Sequence, residues 1–261
     1  MRDSFPAELW RALLAAAHEG AALPDLRGCA PALRPLAETY RDFLAPAADG
    51  LRVLAHLGVS LDGRIATPSG HADHVTGEEN LVHMHRLRAL ADAVLVGAGT
   101  VAADDPQLTV RHVPGPCPRR VILDPDRRLP VERRVFLEQP PDVPRTWLVV
   151  RAGREGDGRH GLASVLAAGD GTPGSVLRTL RAQGVRRLFI EGGGVTVSRF
   201  LAAGCLDELQ LCTAPVLLGS GRPALSLAPI ATMVEALRPP ALSLAQGKDR
   251  LWRLALRPLN P

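Results

Sequence analysis

Apolar residues fall into two registers along the chain. Short, nearly unbroken apolar runs occur at 51–58 (LRVLAHLG), 92–97 (DAVLVG), 120–123 (RVIL), 146–150 (TWLVV) and 187–190 (RLFI). Runs of four to eight residues that are rich in Val, Leu and Ile and bounded by glycine or charge predict strands buried on both faces. Between them, helices are predicted from the Thr76–Glu79 segment to about Ala91, over 175–183 and over 196–203. A longer apolar segment, 206–218, predicts a strand broken near Pro215, and 250–256 predicts a closing strand. Residues 60–69 are expected as a loop shaped by Asp62 and Gly63, and the Gly-rich stretch 151–174 as surface loop. Thr76-Gly-Glu-Glu79 has the form of a capping box ahead of the first of these helices. Strands alternating with helices predict an α/β fold, and the long C-terminal strands make the sheet mixed.

Residues 1–50 differ. They are rich in Ala and Leu and interrupted by Pro24, Pro31, Pro35 and Pro46. They are expected to form a helical N-terminal appendage to a domain spanning 51–261.

Two strand ends carry glycine turns. VLVGAGTVAADDP (94–106) runs from strand to Gly97 and Gly99, then to an acidic segment stopped by Pro106. FIEGGG (189–194) repeats the arrangement. Glycine lets backbone N–H groups approach a phosphate closely, and the first turn of the following helix presents N–H groups without intrahelical partners. The first turn also matches a degenerate dinucleotide fingerprint, with Asp124 ending a later strand. A Rossmann unit, however, needs a full crossover helix after the glycines, and Asp104-Asp105-Pro106 ends any helix after about two turns.

Composition narrows the class. The chain has 261 residues, 46% hydrophobic and 22% charged, which suits one sizeable folded domain. Net charge is +4, and Lys248 is the only lysine. The arginines are scattered among Pro and Ala with few aromatics, which points to a compositional bias toward Arg in place of nucleic-acid binding, and steering of an anionic small molecule fits the charge as well. No apolar run reaches membrane-span length and the first residues do not read as a secretory signal. The four cysteines (Cys29, Cys117, Cys205, Cys212) form no CxxC pair, so a reduced, cytoplasmic protein is expected. His71, His74, His83 and His85 cluster in sequence, but two fall in a loop and two on different sides of a helix. No metal site is expected.

The succession SLDGRIA (60–66), VTG (75–77), RLRALADAVLVGAGTVAADDPQLTVR (86–111), RRVILD (119–124), FIEGGG (189–194) and DELQLCTAPVLLG (207–219) resembles the pyrimidine reductases of riboflavin biosynthesis. These form the C-terminal half of the bifunctional deaminase-reductase. The resemblance covers residues 51 to 256. It implies a dihydrofolate-reductase-like fold: a mixed, mostly parallel sheet flanked by helices. It also implies a homodimer, with NADPH lying across the strand ends. The implied reaction reduces the ribosylamino group of 5-amino-6-(5-phosphoribosylamino)uracil, with hydride delivered to C1′. Carried over position by position, Gly58, Thr100, Asp104, Gly192, Gly193 and Gly194 are expected at the cofactor. Arg88, Leu108, Arg111 and Glu191 are expected at the substrate, the two arginines suiting a phosphate monoester. Independently of the resemblance, Leu81, Met84 and Arg88 form a helical stripe that sets Arg88 on or beside an inward face. A salt bridge to an internal carboxylate is the other reading of Arg88, and a solvated strand-end charge the other reading of Arg111. Arg127 and Arg128 are candidates for a 2′-phosphate contact.

Three positions depart from the family pattern. His56 replaces a lysine, Ala72 a serine and His74 a tryptophan next to the cofactor. His56 is either a proton donor to the imine formed on ring opening or a hydrogen-bonded core histidine. These departures leave open a different pyrimidine- or pterin-like substrate. A catalytically silent nucleotide-binding member is the remaining alternative. The zinc-deaminase signature, HxE with PCxxC, is absent from the sequence.

Overall fold

A computed structural model describes residues 5–72, 75–138 and 141–257. In chain order it contains α1 (Ala7–His18), α2 (Arg34–Leu44), β1 (Arg52–Ser60), β2 (Arg64–Ala66), α3 (Glu78–Leu90), β3 (Ala93–Gly97) and α4 (Ala98–Asp104). Then follow β4 (Arg119–Leu123), α5 (Arg134–Leu137), β5 (Trp147–Val150), β6 (Arg159–His160), β7 (Ala163–Ala167), α6 (Pro173–Ala182), β8 (Arg187–Glu191) and α7 (Gly194–Ala202). The chain closes with β9 (Glu208–Ala214), β10 (Arg222–Pro223), β11 (Ala241–Gln246) and β12 (Asp249–Ala255).

Ten strands form one sheet in the order β11-β12-β9-β1-β8-β3-β4-β5-β7-β6. Pairings from β9 through β1, β8, β3, β4 and β5 to β7 are parallel, and both edges are antiparallel. This is the mixed, mostly parallel α/β sheet that the pattern predicts. The central strands are the apolar runs. β3 is buried at all five positions because helices cover both faces of the sheet.

One apolar layer lies on each face. The first joins Val53, Leu57, Leu95, Ile190, Val197 and Phe200 beneath α6 and α7. The second joins Leu54, Val94, Ile122 and Phe189 with Leu87 and Leu90 of α3. It also contains Phe5, Trp10, Leu13, Tyr40 and Phe43. Residues 5–44 therefore share a core with the sheet.

Several local expectations are revised. α3 begins at Glu78 with Gly77 as its N-cap, and Thr76 does not cap it. The Gly77 N–H is taken instead by Asp249 at 2.6 Å, and Thr76 accepts from the Asn80 amide at 2.9 Å. Leu81 and Met84 do not face the core. Leu81 is exposed, and the face buried against the sheet runs through Asn80, His83 and Leu87. From His85 onward every residue of α3 is buried, because α1 and α2 pack on its outer side. The expected loop 151–174 contains β7, paired in parallel with β5, and the loop 60–69 contains β2. Asp62 shapes its turn as expected. Its carboxylate accepts from Ser60 Oγ at 2.5 Å and from the backbone of Leu218 and Gly219, which holds its pKa down at about 2. Among the described residues no helix is long and apolar enough to cross a membrane.

Candidate active site

Parallel strands that deliver their carboxyl ends to one edge leave a crevice there. β1, β8 and β3 are adjacent in the sheet, and their ends carry Gly58, Glu191-Gly192-Gly193-Gly194 and Gly97-Ala98-Gly99-Thr100. All of these residues line one cavity of about 2050 Å³. That exceeds the ~300–1000 Å³ of an ordinary small-molecule site and leaves room for two ligands side by side.

The two glycine turns abut. Gly192 and Gly193 have φ of 74° and 76°, conformations that favour glycine. A Cβ on Gly193 would lie 2.8 Å from Thr100 Oγ1, and one on Gly97 would collide with Thr196 Oγ1. Packing this close brings the start of α7, with its unpartnered first-turn N–H groups, onto the cavity wall. α4 is short, as Pro106 requires. It ends at Asp104, and its C-cap Asp105 takes the left-handed conformation with φ of 40°. Thr100 and Asp104 of α4 line the cavity. Asp124 does not. It is fully buried and its carboxylate accepts from the Leu129 N–H at 2.7 Å, so it is a turn-closing residue and offers no ribose contact.

Leu108 also lines the cavity, from a loop under tension. Its φ of 56° is unusual for a branched side chain, and it is only 2% exposed. Side chains hold this loop where backbone partners are missing. The Val110 N–H meets Cys117 Sγ at 3.2 Å and the Arg111 N–H donates to His85 Nδ1 at 2.9 Å. Burial, with Arg88 nearby, pushes the His85 pKa down to about 3, which keeps the ring neutral and able to accept.

Glu191 lines the cavity, and behind it stands Arg88. Arg88 Nε donates to Glu191 Oε2 at 2.6 Å, Nη2 donates to Oε1, and Nη1 donates to the Thr109 carbonyl at 2.7 Å. With side chains 7% and 10% exposed, the pair is a buried bidentate ion pair. Arg88 and Arg111, both expected at the substrate, do not line the cavity. The internal salt bridge is the arrangement Arg88 adopts, and Arg111 donates to Gln107 and Thr109 on its own loop. The cations that do line the cavity are Arg128, Arg151, Arg199, Arg222 and Lys248. Arg127 is unavailable for a ligand, because its guanidinium is spent on the carbonyls of Arg154, Glu155 and Arg159. Arg151 and its partner Asp126, 2.7 Å away, were not singled out by sequence. The signal was available, since Arg151 directly follows the strand TWLVV.

His56 lies on β1 between Glu191 of β8 and Gln210 of β9, in register with both. It lines the cavity wall but is 1% exposed. Its Nδ1 is 3.2 Å from Gln210 Oε1, and its Nε2 is buried without a hydrogen-bond partner among the described residues. Burial lowers its pKa to about 4, against the raising effects of Gln210, Glu191 and Asn80. A neutral ring so low in pKa is a poor proton donor, and the core-histidine reading is the geometry it adopts. His83 and His85 are engaged separately, with Tyr40 and Gln210 and with the Arg111 N–H. His74 lies outside the described residues.

Residues 52–246 match the family model described as the RibD C-terminal domain. The chain is 37% identical over 194 residues to the 2,5-diamino-6-ribosylamino-4(3H)-pyrimidinone 5′-phosphate reductase of Methanothermobacter thermautotrophicus, covering 71% of this chain and 88% of that protein. It is 33% identical over 203 residues to the riboflavin biosynthesis protein RibD of Mycobacterium tuberculosis, covering 76% of this chain and 52% of that one. The structure of Acinetobacter baumannii RibD superposes with a TM-score of 0.70 at 32% identity, over 85% of this chain and 63% of that one. The chain thus spans about half to two thirds of the RibD proteins and most of the archaeal reductase.

Proposed function

The chain belongs to the RibD C-terminal domain family, and on that premise we propose that it is an NADPH-dependent oxidoreductase acting on a phosphoribosylated aminopyrimidine. The reaction is reduction of the ribosylamino group to ribitylamino, with hydride delivered to C1′ of 5-amino-6-(5-phosphoribosylamino)uracil. One observation carries the reading. Three neighbouring parallel strands bring Gly58, the Glu191–Gly194 turn and the Gly97–Thr100 turn to one cavity sized for two ligands.

The nicotinamide cofactor supplies the hydride. The protein's part is binding, orientation and exclusion of water. The left-handed glycines at 192 and 193 and the start of α7 form the cradle for its pyrophosphate, with Thr100 and Asp104 beside it. Gly58 brings the β1 backbone to the cavity wall, with the Thr76 side chain packed where a Cβ would stand. Of the two expected candidates for the 2′-phosphate, Arg128 lines the cavity, and Arg151, directly after β5, takes the place of Arg127. Glu191 is the substrate-facing carboxylate, held rigid by Arg88, and Leu108 is the apolar wall. Arg88 and Arg111 then serve the substrate indirectly, by fixing Glu191 and the 107–111 loop.

A second reading concerns the pyrimidine. The archaeal relative, of which this chain covers 88%, is named for the 2,5-diamino compound, which carries an amino group where the uracil has a carbonyl. Oxidation of NADPH with each pyrimidine, measured at 340 nm, separates the two. Turnover of neither, with NADPH still bound, removes both and leaves a different heterocycle.

We further propose a homodimer and a cytoplasmic setting. The edge strand β11 and its neighbour β12 expose Leu242 and Trp252, and the preceding segment exposes Met233, Val234 and Leu237. All four cysteines are free, in keeping with a reducing compartment. Sedimentation at twice the monomer mass is expected, and a monomer at micromolar concentration would refute the dimer.

A further inference from the structure

Beneath the cavity a chain of buried polar groups runs away from the site into the N-terminal helices. Tyr40 of α2 is fully buried, and its hydroxyl is 2.9 Å from His83 Nδ1. His83 Nε2 is 2.8 Å from Gln210 Oε1, the same oxygen that His56 Nδ1 approaches at 3.2 Å. The other end of that amide, Gln210 Nε2, donates to Glu208 Oε1 at 2.8 Å. Glu208 accepts from Arg253 Nε at 2.9 Å and Nη2 at 2.7 Å. Arg253 Nη2 also donates to Asp42 at 2.9 Å, which returns the path to α2.

Fixing the Gln210 amide orders the protons along this path. A carboxylate only accepts, so Glu208 fixes the Gln210 amide with its NH2 outward and its oxygen toward both imidazoles. That oxygen has two lone pairs and accepts from His56 Nδ1–H and from His83 Nε2–H. A neutral imidazole carries one N–H, so His83 Nδ1 is an acceptor and receives the Tyr40 hydroxyl proton. His56 Nε2 is likewise left as a lone pair; it faces the Asn80 side chain, whose Oδ1 is also buried without a hydrogen-bond partner among the described residues, so a proton on Nε2 donated to Asn80 Oδ1 is the competing arrangement that the spectra below distinguish. Burial lowers the pKa of both histidines, in keeping with neutral rings. The charged and titratable groups around the two rings are Glu191 on β8, Glu208 on β9, Arg86 on α3, Arg253 on β12 and Tyr40 and Asp42 on α2.

We propose that Tyr40 is a positioning residue for the reductase site, locking His83, Gln210 and His56 into a single proton arrangement in which His56 Nδ1 is protonated and Nε2 is an acceptor. Tyr40 and Asp42 both lie ahead of the 52–246 match to the family model, so this chain's own N-terminal helices complete the polar layer under the site. The proposal rests on the reading of the cavity as the reducing site, but its first test needs no turnover.

Long-range 1H–15N spectra of the full-length protein, assigned with His56→Gln and His83→Gln, report which nitrogen of each ring carries the proton. Between pH 6 and 8 His56 is expected neutral with Nδ1 protonated, and His83 neutral with Nε2 protonated. A wild-type His56 protonated at Nε2, or at both nitrogens, overturns the proposal whether or not the pyrimidines are reduced. Tyr40→Phe should shift the His83 resonances and lower kcat about fivefold, the effect of one neutral hydrogen bond, with the Kd for NADPH unchanged. Unchanged spectra and kcat in that variant overturn it as well. Should Tyr40→Phe fail to fold, Gln210→Glu serves in its place. A carboxylate facing both rings should make His56 doubly protonated at neutral pH, and a His56 that stays neutral there refutes the contact.

Discussion

The Arg88–Glu191 pair allows a quantitative test of whether Arg88 is a strut or a substrate ligand. In Glu191→Gln the side-chain shape survives, but the Arg88 guanidinium, 7% exposed, loses its only carboxylate among the described contacts. Breaking one side of a buried pair costs about 3–5 kcal/mol, because the remaining charge stays desolvated. Glu191 borders the cavity and the Gln still accepts one hydrogen bond, which places the loss near 3 kcal/mol. For a chain of this size that is a fall in Tm of roughly 6–12 °C. Arg88→Met alone should cost a similar amount. The double variant Arg88→Met/Glu191→Met removes both charges and should return to within about 1 kcal/mol of the wild type. Urea unfolding of the four proteins closes the cycle. Costs that simply add in the double variant, or a single variant within about 1 kcal/mol of wild type, would refute a coupled buried pair. Turnover should remain lost in the stable double variant, since the substrate-facing carboxylate is gone.

Three further outcomes are expected. Gly193→Ala places a Cβ 2.8 Å from Thr100 Oγ1 at a φ of 76°, a strain of about 1–3 kcal/mol that should weaken NADPH binding at least tenfold in a fluorescence titration; undiminished affinity would remove this turn from the cofactor cradle. Stability should fall as pH drops from about 6.5 toward 4. His56 has a pKa of about 4 when folded, so the unfolded chain takes up the proton first. That single shift is worth about 3 kcal/mol, present in full above pH 6.5 and lost as the pH approaches 4. A urea midpoint that stays constant between about pH 7 and 5 would contradict it. Arg151→Ala should raise KM for NADPH about tenfold, the loss of one charge-assisted contact, and leave KM for NADH unchanged; equal effects on both would move the 2′-phosphate elsewhere.

Much of the molecule was legible in the sequence, for local reasons. The apolar runs at 92–97 and 187–190 became central strands, because a strand buried on both faces has no polar position to spare. Asp104-Asp105-Pro106 stops α4 at Asp104, and that pattern alone excludes a Rossmann crossover. The glycines at 97 and 192–194 marked strand ends where close backbone approach was required. The misreadings have one shared cause. Leu81 and Met84 looked like a core stripe because periodicity finds a face but does not say what covers it, and α1 and α2 bury the other side of α3. Arg127 and Arg128 were equivalent in sequence. Only the carbonyls of the 154–159 loop, brought back across the sheet edge, occupied one and left the other at the cavity.

The sequence by itself therefore determined the α/β class, the strand ends and the glycine turns, since each depends on the preferences of residues a few positions apart. Tertiary structure decided the partners of the buried charges and imidazoles. Arg88 meets Glu191 across 103 positions, and His56 meets Gln210 across 154. Pairings over such distances are set by strand order. Strand order follows from how the layers cover one another, which no local pattern encodes.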